Sequence, residues 1–143
     1  MSSPACKVTD IASLIPQRSP IQMVDGYLFE DELNCRSELT LAEDNMFLDE
    51  AGCLSVEGVL EHIAQTAAAH IGYLRRRMGK EVGLGYIGDI KRCTVADTMP
   101  AAGSTLHTCV TVLSQVGDIT LVSAETTVEN HPVVNCRMKV AEG

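Results

Sequence analysis

The stretch Val56-Glu-Gly-Val-Leu-Glu-His-Ile-Ala-Gln-Thr-Ala-Ala-Ala-His-Ile-Gly-Tyr-Leu-Arg-Arg-Arg-Met-Gly79 decides the fold of this 143-residue chain. Its apolar residues recur at spacings of three and four, the period of one face of an α-helix: Val56, Leu60, Ile63, Ala67, Ile71 and Leu74. Ser55 can cap the first turn, and Gly79 can end the last turn in a left-handed conformation. The sequence therefore predicts one long helix between Ser55 and Gly79.

Two features distinguish this helix from an ordinary amphipathic helix. It is rich in small residues, which would let another backbone approach closely: Ala64, Ala67, Ala68, Ala69 and Gly72. It also carries a carboxylate and an amide one turn apart on the same side, Glu61 and Gln65. An unpaired charge on a mostly apolar helix would be costly, so Glu61 is a candidate functional residue. The alternative is a surface or interface carboxylate paired with an arginine.

Composition restricts the class of protein. The formal net charge is -8 and aromatic residues are few, which opposes nucleic-acid binding. No apolar run is long enough to span a bilayer, and the N-terminus lacks the apolar core of a signal peptide, so we expect a cytoplasmic protein. The six cysteines and four histidines show no metal-site spacing, so no metal or cofactor is predicted and the thiols are expected to be free. A nucleophilic cysteine is the alternative.

The flanking segments predict mainly strands. Residues 1–7 are expected to be a loose tail, and Thr9 or Asp10 to cap a short helix that ends at Pro16. The runs 21–29 and 33–41 have strand character, the first with a bulge near Gly26. A glycine-rich strand follows the helix, in a run from Val82 to Cys93 whose glycines suggest a close approach to backbone or ligand. Three long strands complete the chain at 105–113, 119–128 and 133–140, joined by turns at 116–118 and 129–132.

One long helix among about six strands predicts an α+β fold in a single domain over residues 1–143. The economical arrangement is a curved antiparallel sheet wrapped around one central helix, which is the hot-dog fold. Such a layer leaves a sheet edge and part of the helix open, so at least a dimer is expected.

Several motifs, in order along most of the chain, carry a resemblance to a known family. Leu14-Ile-Pro16-Gln-Arg18-Ser-Pro20-Ile-Gln-Met-Val-Asp25 resembles the N-terminal signature of 3-hydroxyacyl-(acyl carrier protein) dehydratases of the FabZ type. Gly58-Val-Leu-Glu61-His-Ile-Ala-Gln65 is similar to their central helix, in which an acidic residue is followed four positions later by Gln. Pro100-Ala-Ala-Gly103-Ser-Thr-Leu106 resembles their loop before a strand.

The nearest resemblance is to one branch, the ApeP-like dehydratases of aryl-polyene pathways. That branch has Phe-Leu-Asp before a Gly and the helix, as Phe47-Leu48-Asp49-Glu-Ala-Gly52 does here. It also has Leu-Glu followed by Ala-Gln-Thr, which Leu60-Glu61 and Ala64-Gln65-Thr66 match.

The resemblance implies a hydro-lyase that converts a 3-hydroxyacyl thioester into the trans-2-enoyl thioester in fatty-acid or polyene biosynthesis. In the family each site lies between two subunits, with a histidine from the loop of one chain and a carboxylate from the helix of the other. Carried over, Glu61 would be the catalytic carboxylate, and the Val56 amide would stabilise the enolate oxygen at the helix start. Gln65 would support the site by hydrogen bonding, and Phe47 would line the acyl tunnel or the core.

The chain departs from the family at the catalytic histidine, because the loop 45–55 contains none. His62 is adjacent to Glu61 but points about 100° away on a helix, and His70 lies two turns further on. Nothing in the sequence places His107 or His131 near Glu61. Asp49 could replace the missing group, although an aspartate that shapes the loop is the simpler interpretation.

Three functional hypotheses follow. The first is a dehydratase subunit that contributes Glu61 to a homodimer, or to a heterodimer with a histidine-bearing homologue. The second is a non-catalytic structural or acyl-binding partner, and the third is an acyl thioesterase. The substrate carrier would be an acidic acyl carrier protein, which Arg75–Arg77 or Lys91-Arg92 could attract. A solvated helix end is the alternative role for such basic clusters.

Overall fold

A computed structural model describes residues 7–81 and 85–142. Within these ranges the chain forms one α-helix, α1 at Val56–Arg77, and a 3-10 helix at Ile11–Ser13. The strands are β1 Lys7–Val8, β2 Gly26–Asp31, β3 Asn34–Thr40, β4 Gly85–Val95, β5 Thr105–Val116, β6 Ile119–Val128 and β7 His131–Glu142.

The strands form one antiparallel sheet in the order β1-β2-β3-β5-β6-β7-β4. Strands β2 to β7 all contact α1, so the sheet curves around the helix and encloses the core between them. This confirms the predicted hot-dog architecture, with the two-residue β1 added to the six expected strands. Among the described residues, no helix has the length and apolar character that crossing a membrane would require.

Both ends of α1 form as the sequence predicts. The Ser55 hydroxyl accepts a hydrogen bond of 3.1 Å from the Gly58 N–H. At the other end Gly79 has φ +73°, and the Lys80 N–H bonds back to the Arg75 carbonyl at 2.8 Å. That pair of features is the Schellman ending, in which a left-handed glycine lets the chain satisfy the last free carbonyls of the helix.

The buried face of α1 differs from the predicted one. Of the six apolar residues at helical spacing, only Ile63 and Ala67 are buried, while Leu60, Ile71 and the other two are half-buried. The side that meets the sheet also carries buried polar residues: His62, Thr66 and His70. Polar groups can lie there because strand side chains and backbone groups supply hydrogen-bond partners, a compensation that hydrophobic periodicity does not record.

The N-terminal region begins earlier and is less helical than expected. Lys7 pairs with Leu28 in the sheet, so the last residue of the predicted tail belongs to β1; residues 1–6 lie outside the described ranges. The predicted short helix is a single 3-10 turn, and the Asp10 side chain makes no capping bond. Further along, the segment crosses α1 so closely that a Cβ at Gly72 would lie 2.1 Å from the Leu14 carbonyl oxygen.

The predicted strand 21–29 is only half correct. The strand begins at Gly26, and its register shift lies between Phe29 and Asp31 rather than near Gly26. Before it, the Ile21 N–H bonds to the Arg18 carbonyl in a turn that contains the cis Ser19–Pro20 bond. The backbone of Met23 is bound by side chains of α1 instead of by a neighbouring strand, which removes this segment from the sheet.

The C-terminal strands follow the prediction closely, although β5 and β7 are longer than expected. Gly117 has φ +61° in the turn between β5 and β6, and Glu129 and Asn130 have φ of 50° and 67° in the next turn. These left-handed conformations match the right-handed twist of hairpin strands. In β4, the nearest described atoms to a Cβ on Gly88 would be 3.5 Å away, so no tight contact among the residues that the structure describes explains that glycine. Val82–Leu84 of the predicted strand lie outside the described ranges.

Candidate active site

Glu61 and Gln65 lie one turn apart on α1 and are bonded to each other. Gln65 Nε2 donates a hydrogen bond of 2.8 Å to Glu61 Oε1. Glu61 is half-buried, whereas Gln65 is buried. A carboxylate oxygen that accepts an amide N–H is a poor place for a proton. When Glu61 is protonated, the proton therefore belongs on the other oxygen, Oε2.

Every polar atom of the Gln65 amide has a partner. Its Oε1 accepts the Met23 N–H at 2.6 Å, and its Nε2 donates both to the Ile21 carbonyl and to Glu61. Rotating the amide by 180° would place its nitrogen against the Met23 N–H and its oxygen against the Ile21 carbonyl. The orientation of Gln65 is therefore fixed, and so is the donor that holds Glu61.

His62 belongs to the core rather than to the exposed side of Glu61. Its Nδ1 lies 2.6 Å from the Met23 carbonyl oxygen, and its Nε2 lies 2.8 Å from the Thr108 hydroxyl. Because a carbonyl only accepts, Nδ1 carries the hydrogen and Nε2 accepts from Thr108. Burial lowers the pKa of His62 to about 4, so the ring is neutral near pH 7. The expectation that His62 does not substitute for the missing base is consistent with this placement.

The other histidines lie at the end of α1 or on the sheet. His70 is buried near the end of α1, where it bonds to the Tyr27 hydroxyl at 2.6 Å and to the Glu32 carbonyl at 2.7 Å. Burial lowers its pKa. His107 is exposed in β5, opposite Glu38, and His131 is exposed at the start of β7.

The loop 45–55 packs on the start of α1 and uses its acidic residue internally. Asp49 Oδ1 accepts hydrogen bonds from the N–H groups of Ala51 and Cys53, at 2.9 and 3.0 Å. This is the geometry of an aspartate that shapes a turn, the simpler of its two predicted roles. Phe47 is half-buried against the core, and a Cβ on Gly58 would lie 2.7 Å from the Phe47 Cβ. Gly58 therefore allows the loop to lie directly on the first turn of the helix.

Val56 provides a free backbone donor at that same end. Across the described part of the chain, no acceptor lies within hydrogen-bonding reach of its N–H. The first amides of a helix point outward along the axis, at its positive end. Val56 precedes Glu61 by five residues, about 7.5 Å along the axis.

The two basic clusters have different surroundings. Lys91 Nζ lies 3.6 Å from Asp89 in β4. At the end of α1, the Arg77 guanidinium lies 5.0 Å from the Phe29 ring centroid. A groove of about 560 Å³ opens beside it, with Arg77 and Lys80 at its rim and with Leu33 and Met78, which are 56 % and 65 % exposed, among its lining residues. In the described segments, no group of three or more His, Cys, Asp and Glu residues could hold a metal ion.

Sequence reasoning selected Glu61 and Gln65 as a pair, but it missed the backbone of Ile21 and Met23 as their partners. It also missed the chain of buried hydroxyls behind His62, in which Thr108 is bonded to Thr126 at 2.7 Å. A signal was present, since Thr108, Thr126 and Ser37 are polar residues at inward positions of strands whose other inward residues are mostly apolar.

The chain matches the family model of the ApeP-like dehydratases, described as ApeP dehydratase, over residues 9–143. A comparison with curated proteins found no match.

Solved structures share the fold at low sequence identity. One is the dehydratase heterocomplex ApeI:P from Xenorhabdus doucetiae, with a TM-score of 0.87 and 17 % identity over 93 % of this chain and 90 % of that chain. Another is a putative thioesterase, yhdA, from Lactococcus lactis, with a TM-score of 0.61 and 13 % identity over 98 % and 92 % of the two chains. At these identities the similarity establishes the hot-dog fold alone.

Proposed function

This chain belongs to the ApeP-like dehydratase family, and from that premise we propose that it is the Glu61-bearing subunit of a heteromeric 3-hydroxyacyl thioester dehydratase. The observation that carries the proposal is an incomplete site. Glu61 has a fixed, half-buried carboxylate, while His62 and His70 are engaged in the core and the other two histidines lie elsewhere on the sheet. A partner subunit would supply the histidine.

The proposed reaction divides two proton transfers between the subunits. The partner's histidine takes the proton from C2, beside the thioester carbonyl, while Glu61 donates the proton on Oε2 to the hydroxyl leaving C3. The C2–H and C3–O bonds break, the C2=C3 double bond forms, and water departs. Transfer of the proton from the imidazolium to the Glu61 carboxylate restores both groups.

Three further groups would assist Glu61. The free Val56 N–H would hydrogen-bond the enolate oxygen that develops on the thioester, as a backbone donor at a helix start is suited to do. Gln65 would orient the carboxylate without reacting itself. Phe47, a loop residue that packs against the first turn of α1, would border the acyl chain.

The partner has a suitable surface to cover. Strand β4 is at an edge of the sheet and pairs with β7 alone among the described strands. The side of α1 next to Glu61 carries small or apolar residues that the chain only partly covers: Leu60, Ala68 and Ile71. A subunit that paired with β4 and lay on this side of α1 would bring its residues beside Glu61. The heterocomplex named for the ApeI:P structure is consistent with such a partner.

The experiment is turnover of a 3-hydroxyacyl thioester by the complex of this chain with its histidine-bearing partner. Glu61→Gln should lower kcat by about 10²- to 10⁴-fold, the usual contribution of a general acid or base. Glu57→Gln, a matched change at an exposed position in the first turn, should leave kcat unchanged. Full activity of the Glu61→Gln complex would instead support a non-catalytic, structural or acyl-binding subunit.

A thioesterase is the second enzymatic candidate, because a hot-dog carboxylate can activate water and the similar folds include a putative thioesterase. It predicts release of free thiol from a saturated acyl thioester that has no hydroxyl at C3. The dehydratase proposal predicts no thiol release from that compound, and formation of the enoyl product from its 3-hydroxy analogue.

We also propose that the natural substrate is carried by an acidic acyl carrier protein. The groove at the end of α1 suits such a partner, since Leu33 and Met78 offer apolar contact. Its lining also carries more positive than negative charge, with Arg75, Arg77 and Lys80 against Glu32. The protein as a whole has a formal net charge of -8, so this basic rim would orient an acidic carrier toward one end of the helix.

A further inference from the structure

We propose that His62 is a positioning residue for Glu61, acting through the backbone of Met23 and the side chain of Gln65. The proposal rests on the proposed catalytic role of Glu61. It assigns a role to a histidine that faces the core and cannot reach the substrate itself.

The imidazole of His62 is held in one tautomer and one orientation. The Thr126 hydroxyl lies 2.7 Å from the Thr108 hydroxyl, which in turn lies 2.8 Å from His62 Nε2. Since Nδ1 donates to the Met23 carbonyl, Nε2 must accept, so Thr108 donates to it and Thr126 donates to Thr108. All these groups are buried. The ring therefore has one tautomer and one orientation.

His62 and Gln65 together clamp the backbone of one residue, Met23. His62 holds the Met23 carbonyl at 2.6 Å, and Gln65 holds the Met23 N–H at 2.6 Å. His62 and Gln65 are three residues apart and share one side of α1. Met23 lies outside the strands, so these two side chains replace the ladder bonds that a strand would provide. Its sulfur also lies 3.2 Å from Asn45 Nδ2, which connects the clamp to the loop 45–55.

The clamped segment orients Gln65, and Gln65 in turn orients Glu61. The Gln65 amide is oriented by Met23 on one side and by the Ile21 carbonyl on the other. Its remaining hydrogen then points at Glu61 Oε1. Without His62, the Met23 carbonyl is unpaired and the 21–23 segment can shift, so the Gln65 donor loses its fixed direction. The carboxylate would then spend less time in the geometry needed for proton transfer.

The same helix provides a matched comparison. His70 is also buried, and both its nitrogens are also bonded, but to Tyr27 and Glu32 rather than to the Ile21–Met23 segment. Loss of His62 removes buried hydrogen bonds to Met23 and Thr108, and loss of His70 removes one buried and one partly buried hydrogen bond. Only loss of His62 disturbs the route to Glu61.

The test compares His62→Leu with His70→Leu in the complex, using a 3-hydroxyacyl thioester of N-acetylcysteamine as the substrate. His62→Leu should lower kcat by about 10²-fold with little change in KM, the loss expected for misplacement of a reacting group. His70→Leu should lower the unfolding midpoint to a similar extent and change kcat by less than about threefold, because it leaves the reacting group in place. Equal kcat losses in the two variants would overturn the proposal.

Conservative variants separate positioning from stability. Asn at position 62 can place an amide N–H where Nδ1 lies, whereas Gln carries its amide toward Nε2. His62→Asn should therefore recover most of kcat, and His62→Gln should not. If His62→Leu fails to assemble, this pair decides: equal rates for the two variants would contradict the assignment.

A measurement without substrate makes the outcome independent of the proposed function. Hydrogen exchange at the Met23 amide should be faster in His62→Gln than in His62→Asn and unchanged in His70→Leu. If Glu61→Gln retains full activity but the exchange pattern holds, the proposed function is wrong and the clamp remains. If Glu61→Gln is inactive but Met23 exchange is the same in all variants, the positioning role is wrong.

Discussion

Gln65 Nε2 lies 2.8 Å from Glu61 Oε1, and the same nitrogen lies 2.8 Å from the Ile21 carbonyl oxygen. The helix carboxylate is thereby connected to a backbone segment far from it in sequence. Both hydrogens of the amide are used, which leaves Glu61 Oε2 as the oxygen that can exchange a proton.

Replacing Gln65 should impair both folding and turnover. Gln65→Leu leaves the Met23 N–H unpaired in the interior, which costs about 1–3 kcal/mol. It also removes the partly buried hydrogen bond to the carbonyl of the exposed residue Ile21. Urea unfolding should show this loss of stability, and turnover of a small 3-hydroxyacyl thioester should fall because Glu61 loses its donor. Gln115→Leu, at an exposed position in β5, is the control and should affect neither measurement.

Asp49 should prove replaceable by its amide. Asp49→Asn keeps an oxygen that can accept the Ala51 and Cys53 N–H groups, so kcat should stay within about twofold because no group that transfers a proton is lost. Asp49→Ala should disorder the turn and lower the unfolding midpoint. A loss of about 10²-fold in the kcat of Asp49→Asn would identify Asp49 as the proton-transferring group that replaces the missing histidine.

The stability of the chain should decrease in mild acid. Burial lowers the pKa of His62 to about 4, below the value near 6.5 of an unfolded histidine. The unfolded chain therefore binds a proton that the folded chain excludes, and stability falls as the pH drops from about 6.5 to about 4. The shift corresponds to about 3 kcal/mol for His62. His70, whose pKa burial also lowers, acts in the same direction.

Urea midpoints measured between pH 7 and pH 4 test this expectation. His62→Gln should have a lower midpoint at pH 7 and a flatter dependence on pH, because one buried titrating group is gone. His131→Gln removes an exposed histidine instead and should keep the slope of the unmodified protein. An unchanged slope in His62→Gln would show that other groups cause the acid sensitivity.

Charge reversal at the end of α1 should affect carrier-bound substrate alone. Arg77→Glu with Lys80→Glu should raise KM for a 3-hydroxyacyl group on its acyl carrier protein, because the rim of the groove would then repel an acidic protein. Turnover of the N-acetylcysteamine thioester should be unchanged. Lys91→Glu, in the other basic cluster, is the comparison; a larger effect there would move the docking surface to β4.

Local patterns were sufficient for the elements of the fold. The Ser55 cap, the Gly79 ending and the turn residues Gly117 and Asn130 all act through backbone geometry within a few residues. Strand and helix periods then determined which elements form, and one helix among several strands left the hot-dog arrangement as the economical solution. The Glu61–Gln65 pair was predictable for the same reason, since residues four apart on a helix are neighbours.

Contacts between distant parts of the chain decided the rest. The helix turned polar residues toward the sheet because Thr108 and the Met23 carbonyl could satisfy His62 there, and no helical period encodes those partners. The Ile21–Met23 segment left the sheet because α1 side chains bound its backbone. By itself the sequence determined that a carboxylate and an amide lie together on a central helix. Only the tertiary structure decided how the Gln65 amide is oriented toward Glu61 and that His62 and His70 are locked in the core, because both depend on hydrogen-bond partners far away along the chain.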